Sequence, residues 1–197
     1  MTGQQRVLIV DDEPGLASLF GAWLEPRYEV RYETDGAGAL AAIETGIDAV
    51  VLDRQMPGLS GDEVLMQLRD RGDQVPVSLV TALEPDPDAF ELPFDEYLLK
   101  PVTREELLST AERLLALSEL DTDGRRCVGL AAKLQCLATQ HSLPAETRDQ
   151  LSERFQNEFV AAAERTPTPV AELPLAEPPL AEPLPSELRS VVSGAES

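Results

Sequence analysis

Four short apolar runs each end in a polar residue: VLIV before Asp11 and Asp12, DAVVL before Asp53, PVSLV before Thr81, and YLL before Lys100 and Pro101. Segments of helical period separate them. Near-continuous apolar runs of that length, alternating with helices, read as strands of a parallel sheet covered on both faces. In such a sheet the carboxyl ends of the strands lie along one edge, where ligands bind. Residues about ninety positions apart are thereby expected to converge on one place.

The alternation predicts strands at 6–10, 28–32, 48–53, 76–80 and 96–99, and helices at 14–24, 36–45, 60–70 and 103–117. Leu16, Leu19, Phe20, Trp23 and Leu24 give the first helix its apolar stripe. Leu40 and Ile43 serve the second, Val64, Leu65 and Leu68 the third, and Leu107, Leu108, Leu114 and Leu115 the last. Thr103 followed by Glu106 is a capping-box signature. Right-handed crossovers then make a doubly wound five-stranded α/β sheet of order 2-1-3-4-5 the most economical topology. The connection ALEPDPDAFELPFDE between Thr81 and the last strand carries Pro85, Pro87 and Pro93. It has room for a short, loosely held helix at about 87–92.

Residues 123–164 read as a helical hairpin. Val128, Leu130, Ala131, Leu134, Leu137 and Ala138 line its first helix, and Leu151, Phe155, Phe159 and Ala162 its second, with the break at His141–Pro144. Stripes this thin bury little surface alone, so the hairpin is expected to pack against something further. From Thr166 the PLAEP-rich sequence reads as an acidic, disordered tail with polyproline-II character.

The 197 residues hold 36 acids against 16 bases, a net charge of −20, and Lys100 and Lys133 are the only lysines beside fourteen arginines. Acid so dense with lysine so scarce suits a high-salt cytoplasm, where self-repulsion is screened. No apolar stretch reaches the length of a membrane span, and the start MTGQQRVLIVDDEP has too short an apolar run for a signal peptide. The expectation is a cytoplasmic protein with no membrane partner. Cys127 and Cys136, nine residues apart, fall about 13 Å apart along a helix axis and read as small hydrophobes that do not bridge. With His141 the sole histidine, zinc clusters and histidine-based triads are set aside.

Three carboxylates at one sheet edge, Asp11, Asp12 and Asp53, repel one another unless a cation joins them. Hard oxygen donors suit Mg²⁺, with the backbone carbonyl of Gln55 completing the set. A carboxylate held against a divalent ion is able to attack a phosphoryl group and become an aspartyl phosphate. Lys100 then pairs with Asp53 or its phosphate, the Thr81 hydroxyl donates to it, and Pro101, a candidate for a cis bond, aims the lysine. A single aspartate after a strand is often only a helix cap; the ordered set is much harder to explain so.

VLIVDDEP, VVLDRQMPGLSG, LVTA and YLLKP, in that order, make residues 6–116 resemble the CheY-like receiver domain of two-component response regulators. The resemblance implies that Asp53 is the phosphoacceptor and that Asp11, Asp12 and Gln55 serve Mg²⁺. It further implies that Lys100 and Thr81 contact the phosphate and that Tyr97 is an aromatic that moves inward on phosphorylation. It implies a sensor histidine kinase as partner, and self-catalysed phosphotransfer rather than enzyme turnover. Gln55 and Leu83 stand where the family tunes hydrolysis. The proline-broken connection departs from the family at the face commonly used for phosphorylation-linked dimers. The remainder resembles haloarchaeal regulators with a C-terminal HalX region. The expected division is a receiver at 1–118, a helical output region at 119–165 and the tail at 166–197. The first reading of the output is protein interaction or homodimerisation. The second is DNA binding, disfavoured because residues 117–165 carry 6 bases against 8 acids. A haloacid-type phosphohydrolase is excluded by spacing: its second acid lies two residues after the nucleophile, whereas Asp11 and Asp12 are adjacent.

Overall fold

A computed structural model describes residues 4–139 and 142–175. The chain divides into two compact units, Met1–Leu83 with Leu92–Ser118, and Glu84–Glu91 with Glu119–Ser197.

In the first unit, β1 (Arg6–Val10), β2 (Glu29–Glu33), β3 (Ala49–Asp53), β4 (Val77–Thr81) and β5 (Glu96–Leu99) form one parallel sheet in the order β2-β1-β3-β4-β5. Every residue of β3 and β4 is buried, as a central strand covered on both faces requires. The helices α1 (Pro14–Leu24), α2 (Gly36–Ile43), α3 (Gly61–Asp70) and α4 (Arg104–Ala116) cover it. Fold class and strand order agree with the expectation from sequence. Strand and helix boundaries move by a residue or two, with Thr81 inside β4.

Local chemistry explains the helix ends. Pro14 opens α1, where a missing N–H costs nothing. Ser60–Glu63 and Thr103–Glu106 form capping boxes at α3 and α4. The face of α1 that enters the core is Ala17, Phe20, Gly21 and Leu24, and Leu19 is exposed. Leu19 lies a hundred degrees from Phe20 on the wheel, and the narrower stripe spaced by three and four wins. The edge of the sheet is tied down by Arg113 Nε to Glu96 Oε1 at 2.6 Å and Arg69 Nη2 to Asp95 Oδ2 at 3.1 Å, both pairs largely buried.

In the second unit, α5 (Thr122–Thr139) and α6 (Ala145–Ala163) form the hairpin. Leu151, Phe155, Phe159 and Ala162 are the buried residues of α6, as their spacing predicts. Cys127 is buried, Cys136 is half-buried, and neither forms a disulfide. His141 lies outside the described residues. The connection after β4 differs from its expectation: it holds one 3-10 turn, Ala89–Glu91, whose Ala89 and Phe90 are fully buried rather than loosely held. Proline prevents a longer helix, but Phe90 is an apolar anchor. Its ring lies 6.1 Å from that of Phe155, and its carbonyl accepts a 2.7 Å hydrogen bond from Lys133 Nζ. Arg154 pairs with Glu91 at 2.8 Å.

The start of the expected tail is also ordered. Val170–Glu172 form a 3-10 turn, Val170 and Leu173 are buried, and the Thr166 hydroxyl donates to Asp121 Oδ1 at 2.7 Å. Burial of these two aliphatic side chains favours an ordered stretch here. The remainder of the tail, 176–197, lies outside the described residues.

Candidate functional site

Three chain turns at the carboxyl edge of the sheet build the site. Asp11 directly follows β1, Asp53 closes β3, and Lys100 directly follows β5. Asp11 and Asp53 are buried, and Asp12 is more open to solvent. One carboxylate oxygen from each of the three aspartates lies within 4.8 Å of the others.

Lys100 Nζ donates to Asp11 Oδ2 at 3.0 Å and to Asp53 Oδ1 at 2.9 Å. The other oxygen of Asp11 accepts from the Glu13 backbone N–H at 2.9 Å, which fixes its orientation. The Lys100–Pro101 peptide is cis.

Burial pushes the Asp53 carboxyl above its ordinary range. The hydrogen bond and charge of Lys100 pull it down, the charges of Asp11 and Asp12 push it up, and the net direction is up. For Lys100, burial works against the charged form. The hydrogen bonds to Asp53 and Asp11 and their charges together outweigh it, so the ammonium is held more firmly than usual. One ammonium therefore does not satisfy three carboxylates, and the pocket retains unpaired negative charge. That imbalance and the all-oxygen donor set fit a hard divalent cation, held by Asp11, Asp12 and Asp53. Gln55 is exposed in the loop just beyond Arg54.

The loop after β3 is closed by the Gly61 N–H donating to the Arg54 carbonyl at 3.0 Å. A Cβ on Gly61 would collide with the Asp53 carbonyl oxygen, so only glycine lets α3 start this close to the site.

Thr81 and Tyr97 are joined to each other through Leu83. Thr81 is fully buried, and its Oγ1 accepts from the Leu83 N–H at 3.2 Å. Tyr97 is 8% exposed, and its hydroxyl donates to the Leu83 carbonyl at 3.0 Å. Phe94 packs on the Tyr97 ring at 5.4 Å.

One participant has no place in the sequence expectation. Arg54 is buried, with Nε 2.9 and 3.0 Å from the two oxygens of Asp62. The signal for it is a charged residue placed directly after Asp53, with an acid eight positions on.

A sheet of this order with this acidic edge defines a class, the phosphoacceptor switches built on a CheY-like receiver. The profile of the response regulator receiver domain family matches residues 7–112, more than half of the chain. The chain belongs to that family. It is 41% identical over 128 residues to a Haloferax volcanii protein named "Putative transcriptional regulator", spanning 64% of this chain and 22% of that one. It is 40% identical over 114 residues to the Sensory transduction protein RegX3 of Mycobacterium tuberculosis, spanning 55% of this chain and 50% of that one. The chain thus spans half or less of the length of these relatives. Among solved structures, the receiver domain of Francisella response regulator 1452 is similar at 28% identity and a TM-score of 0.55. It covers 58% of this chain and 99% of that one. The Thermotoga maritima response regulator TrrA, solved with Mg²⁺ and beryllofluoride, is similar at 34% identity and a TM-score of 0.51. It covers 56% of this chain and 99% of that one. Among the described residues, no helix is long and apolar enough to cross a membrane.

Proposed function

We propose that this chain is a response regulator phosphorylated on Asp53 by a sensor histidine kinase, with Mg²⁺, and that its helical unit is the output. The observation that carries the reading is the buried Asp53 carboxylate, one oxygen on Lys100 and two further carboxylates beside it. The Asp53 oxygen not engaged by Lys100 attacks the phosphorus of a phosphohistidine. The P–N bond breaks, the imidazole leaves and takes up a proton, and a mixed anhydride remains on Asp53. A magnesium ion bound by Asp11, Asp12, Asp53 and the Gln55 carbonyl would supply charge neutralisation of the phosphoryl oxygens. Lys100 holds Asp53 in place and follows the charge onto the phosphoryl group. Thr81 accepts its hydrogen bond from Leu83, so its own proton remains to donate to a phosphoryl oxygen. Water hydrolyses the anhydride to inorganic phosphate, with Gln55 and Leu83 flanking its path. TrrA, a relative solved with Mg²⁺ and beryllofluoride, supports the same chemistry here.

We infer further that the helical unit is of the HalX type and works by protein contact or self-association, in a cytoplasm of high salt. The acid excess, the two lysines and the Haloferax relative support that setting. Three arginines of the helical unit are already engaged: Arg126 with Glu158, Arg154 with Glu91, and Arg165 with Asp123. That leaves little basic surface for a phosphate backbone. The second reading, DNA binding by the helical unit, is favoured by relatives named as transcriptional regulators.

Acetyl phosphate with Mg²⁺ is expected to label the wild type and not Asp53→Asn. Equal labelling of both refutes Asp53 as phosphoacceptor. In molar KCl, a beryllofluoride-dependent change of mass by light scattering without a DNA gel shift supports contact. A beryllofluoride-dependent shift supports the second reading.

A further inference from the structure

Of the two lysines in the sequence, Lys100 serves the acidic site, and the phosphoryl chemistry makes no use of Lys133. Lys133 is half-buried on α5. Its Nζ donates to the Phe90 carbonyl at 2.7 Å and lies 5.4 Å from the centre of the Phe155 ring. Arg154 of α6 covers the same ring at 4.6 Å and pairs with Glu91 at 2.8 Å. Both helices of the hairpin therefore grip one short turn, Ala89–Glu91, in which Ala89 and Phe90 are fully buried.

That turn is the far end of a segment that starts at the switch hydroxyl. The chain passes between its two units at 83–84, 91–92 and 118–119, and the first two passages bracket Glu84–Glu91. Leu83, the residue before the first passage, donates its N–H to Thr81 Oγ1 at 3.2 Å and accepts from the Tyr97 hydroxyl at 3.0 Å. Little slack separates Leu83 from the turn. Pro85 and Pro87 fix two backbone torsions, and the Ala89 N–H donates to the Asp86 side chain at 2.8 Å and to its carbonyl at 3.1 Å. A short, stiff segment held at one end restrains the other.

We propose that Glu84–Glu91 is a strap that couples the phosphoacceptor site to the helical unit, with Lys133 as the latch that holds it. This rests on the reading of Asp53 as phosphoacceptor and extends it. The latched strap fixes Leu83, and the Leu83 N–H occupies a lone pair of Thr81 Oγ1, so the hydroxyl proton is already directed elsewhere. Lys133 is thus a positioning residue that acts on Thr81 through the chain. A lysine suits the place: a compact ammonium meets a single carbonyl beside an aromatic face, where the planar fork of an arginine needs more room and more acceptors. That accounts for a lysine here in a chain whose other cations, Lys100 apart, are arginines. The coupling is reciprocal: the latch favours a phosphoryl group at Asp53, and that group, once it takes the Thr81 proton as a hydrogen bond, favours the latched strap and the helices that grip it.

The test uses the full chain in molar KCl with Mg²⁺. Beryllofluoride affinity is followed by ¹⁹F NMR and backbone protection by hydrogen exchange. Lys133→Met keeps the length and removes the donor. It is expected to weaken the apparent affinity for beryllofluoride roughly fivefold or more, and to have no such effect in a Thr81→Ala background, because the strap acts through that hydroxyl. In the wild type, beryllofluoride is expected to raise protection at Ala89–Glu91 and Cys127–Leu137; in Thr81→Ala it should not. Arg126→Gln removes an exposed pair of the same hairpin and is expected to bind beryllofluoride as the wild type does. Should Lys133→Met lose the fold of the hairpin, Glu91→Gln, which loosens the other grip on the strap, is expected to weaken the affinity in the same Thr81-dependent way. The inference is overturned if the latch variants bind beryllofluoride as the wild type does, if their loss is the same with and without the Thr81 hydroxyl, or if Arg126→Gln loses as much. Failure of the underlying reading is distinct: beryllofluoride would then bind wild type and Asp53→Asn alike, whatever Lys133 does to the strap.

Discussion

At the scale of single residues, Asp53 carries a conflict between stability and chemistry. Its carboxyl sits above the ordinary range because burial, together with Asp11 and Asp12, outweighs Lys100. An acid whose value is raised in the folded state binds its proton more tightly there than in the unfolded chain. Its contribution to stability is present below the ordinary value of 3.8 and is lost as pH rises through the folded one. Asp53→Asn keeps an oxygen for Lys100 and removes the charge. In metal-free buffer at pH 7 it is expected to stabilise the protein by on the order of 1 kcal/mol. The gain should be full above the raised value and shrink to nothing below about pH 3.8. Adding Mg²⁺ should raise the melting temperature of the wild type more than that of the variant. Paired thermal melts across pH, with and without Mg²⁺, check both; a variant less stable than the wild type at pH 7 without metal contradicts the account. The acidic trio and Lys100 were legible because each ends an apolar run, so the topology alone brings them together. Arg54 was not legible, because its partner, Asp62, becomes a neighbour only once β3 and α3 are folded.

At the scale of elements, the strands and capped helices of the first unit follow from apolar runs and cap residues, which act within a few positions of sequence. The connection after β4 shows where such reasoning stops. Pro85, Pro87 and Pro93 correctly indicate that no long helix forms, but proline says nothing about where Phe90 goes. In the structure Phe90 is fully buried with Phe155 of α6, and Lys133 of α5 caps its carbonyl. That lysine is itself mostly buried, and burial lowers its pKa. The eight residues that directly follow Leu83, with its bonds to Thr81 and Tyr97, therefore belong to the helical unit. Phe90→Ala is expected to cost about 3–5 kcal/mol, the usual loss for a fully buried phenylalanine. The loss should fall on α5 and α6. Native-state hydrogen exchange is the discriminating measurement: amides around Cys127–Leu137 and Leu151–Phe159 should lose protection in Phe90→Ala. Protection unchanged there would mean that Phe90 is not part of the hairpin's packing.

For the molecule as a whole, charge is the dominant variable. With 36 acids against 16 bases, like-charge repulsion acts across the entire surface. Salt also weakens attractive pairs, but exposed ones such as Arg126–Glu158 are each worth about 1 kcal/mol at most. Repulsion among the unpaired acids is larger in number, so screening should stabilise. Screening also has a characteristic range: the Debye length is ~10 Å at 0.1 M and ~3 Å at 1 M. Most of the benefit should therefore appear below about 1 M, where the screening length drops beneath the spacing of surface carboxylates. Urea unfolding in 0.1, 0.5, 1 and 3 M KCl is expected to show stability rising steeply by at least about 1 kcal/mol up to 1 M and then flattening. A rise that continues in proportion to salt up to 3 M would instead identify exclusion of salt from the surface as the cause. Stability that falls between 0.1 and 1 M would show that the ion pairs outweigh the repulsion, and would remove the physical ground for placing this chain in a high-salt cytoplasm.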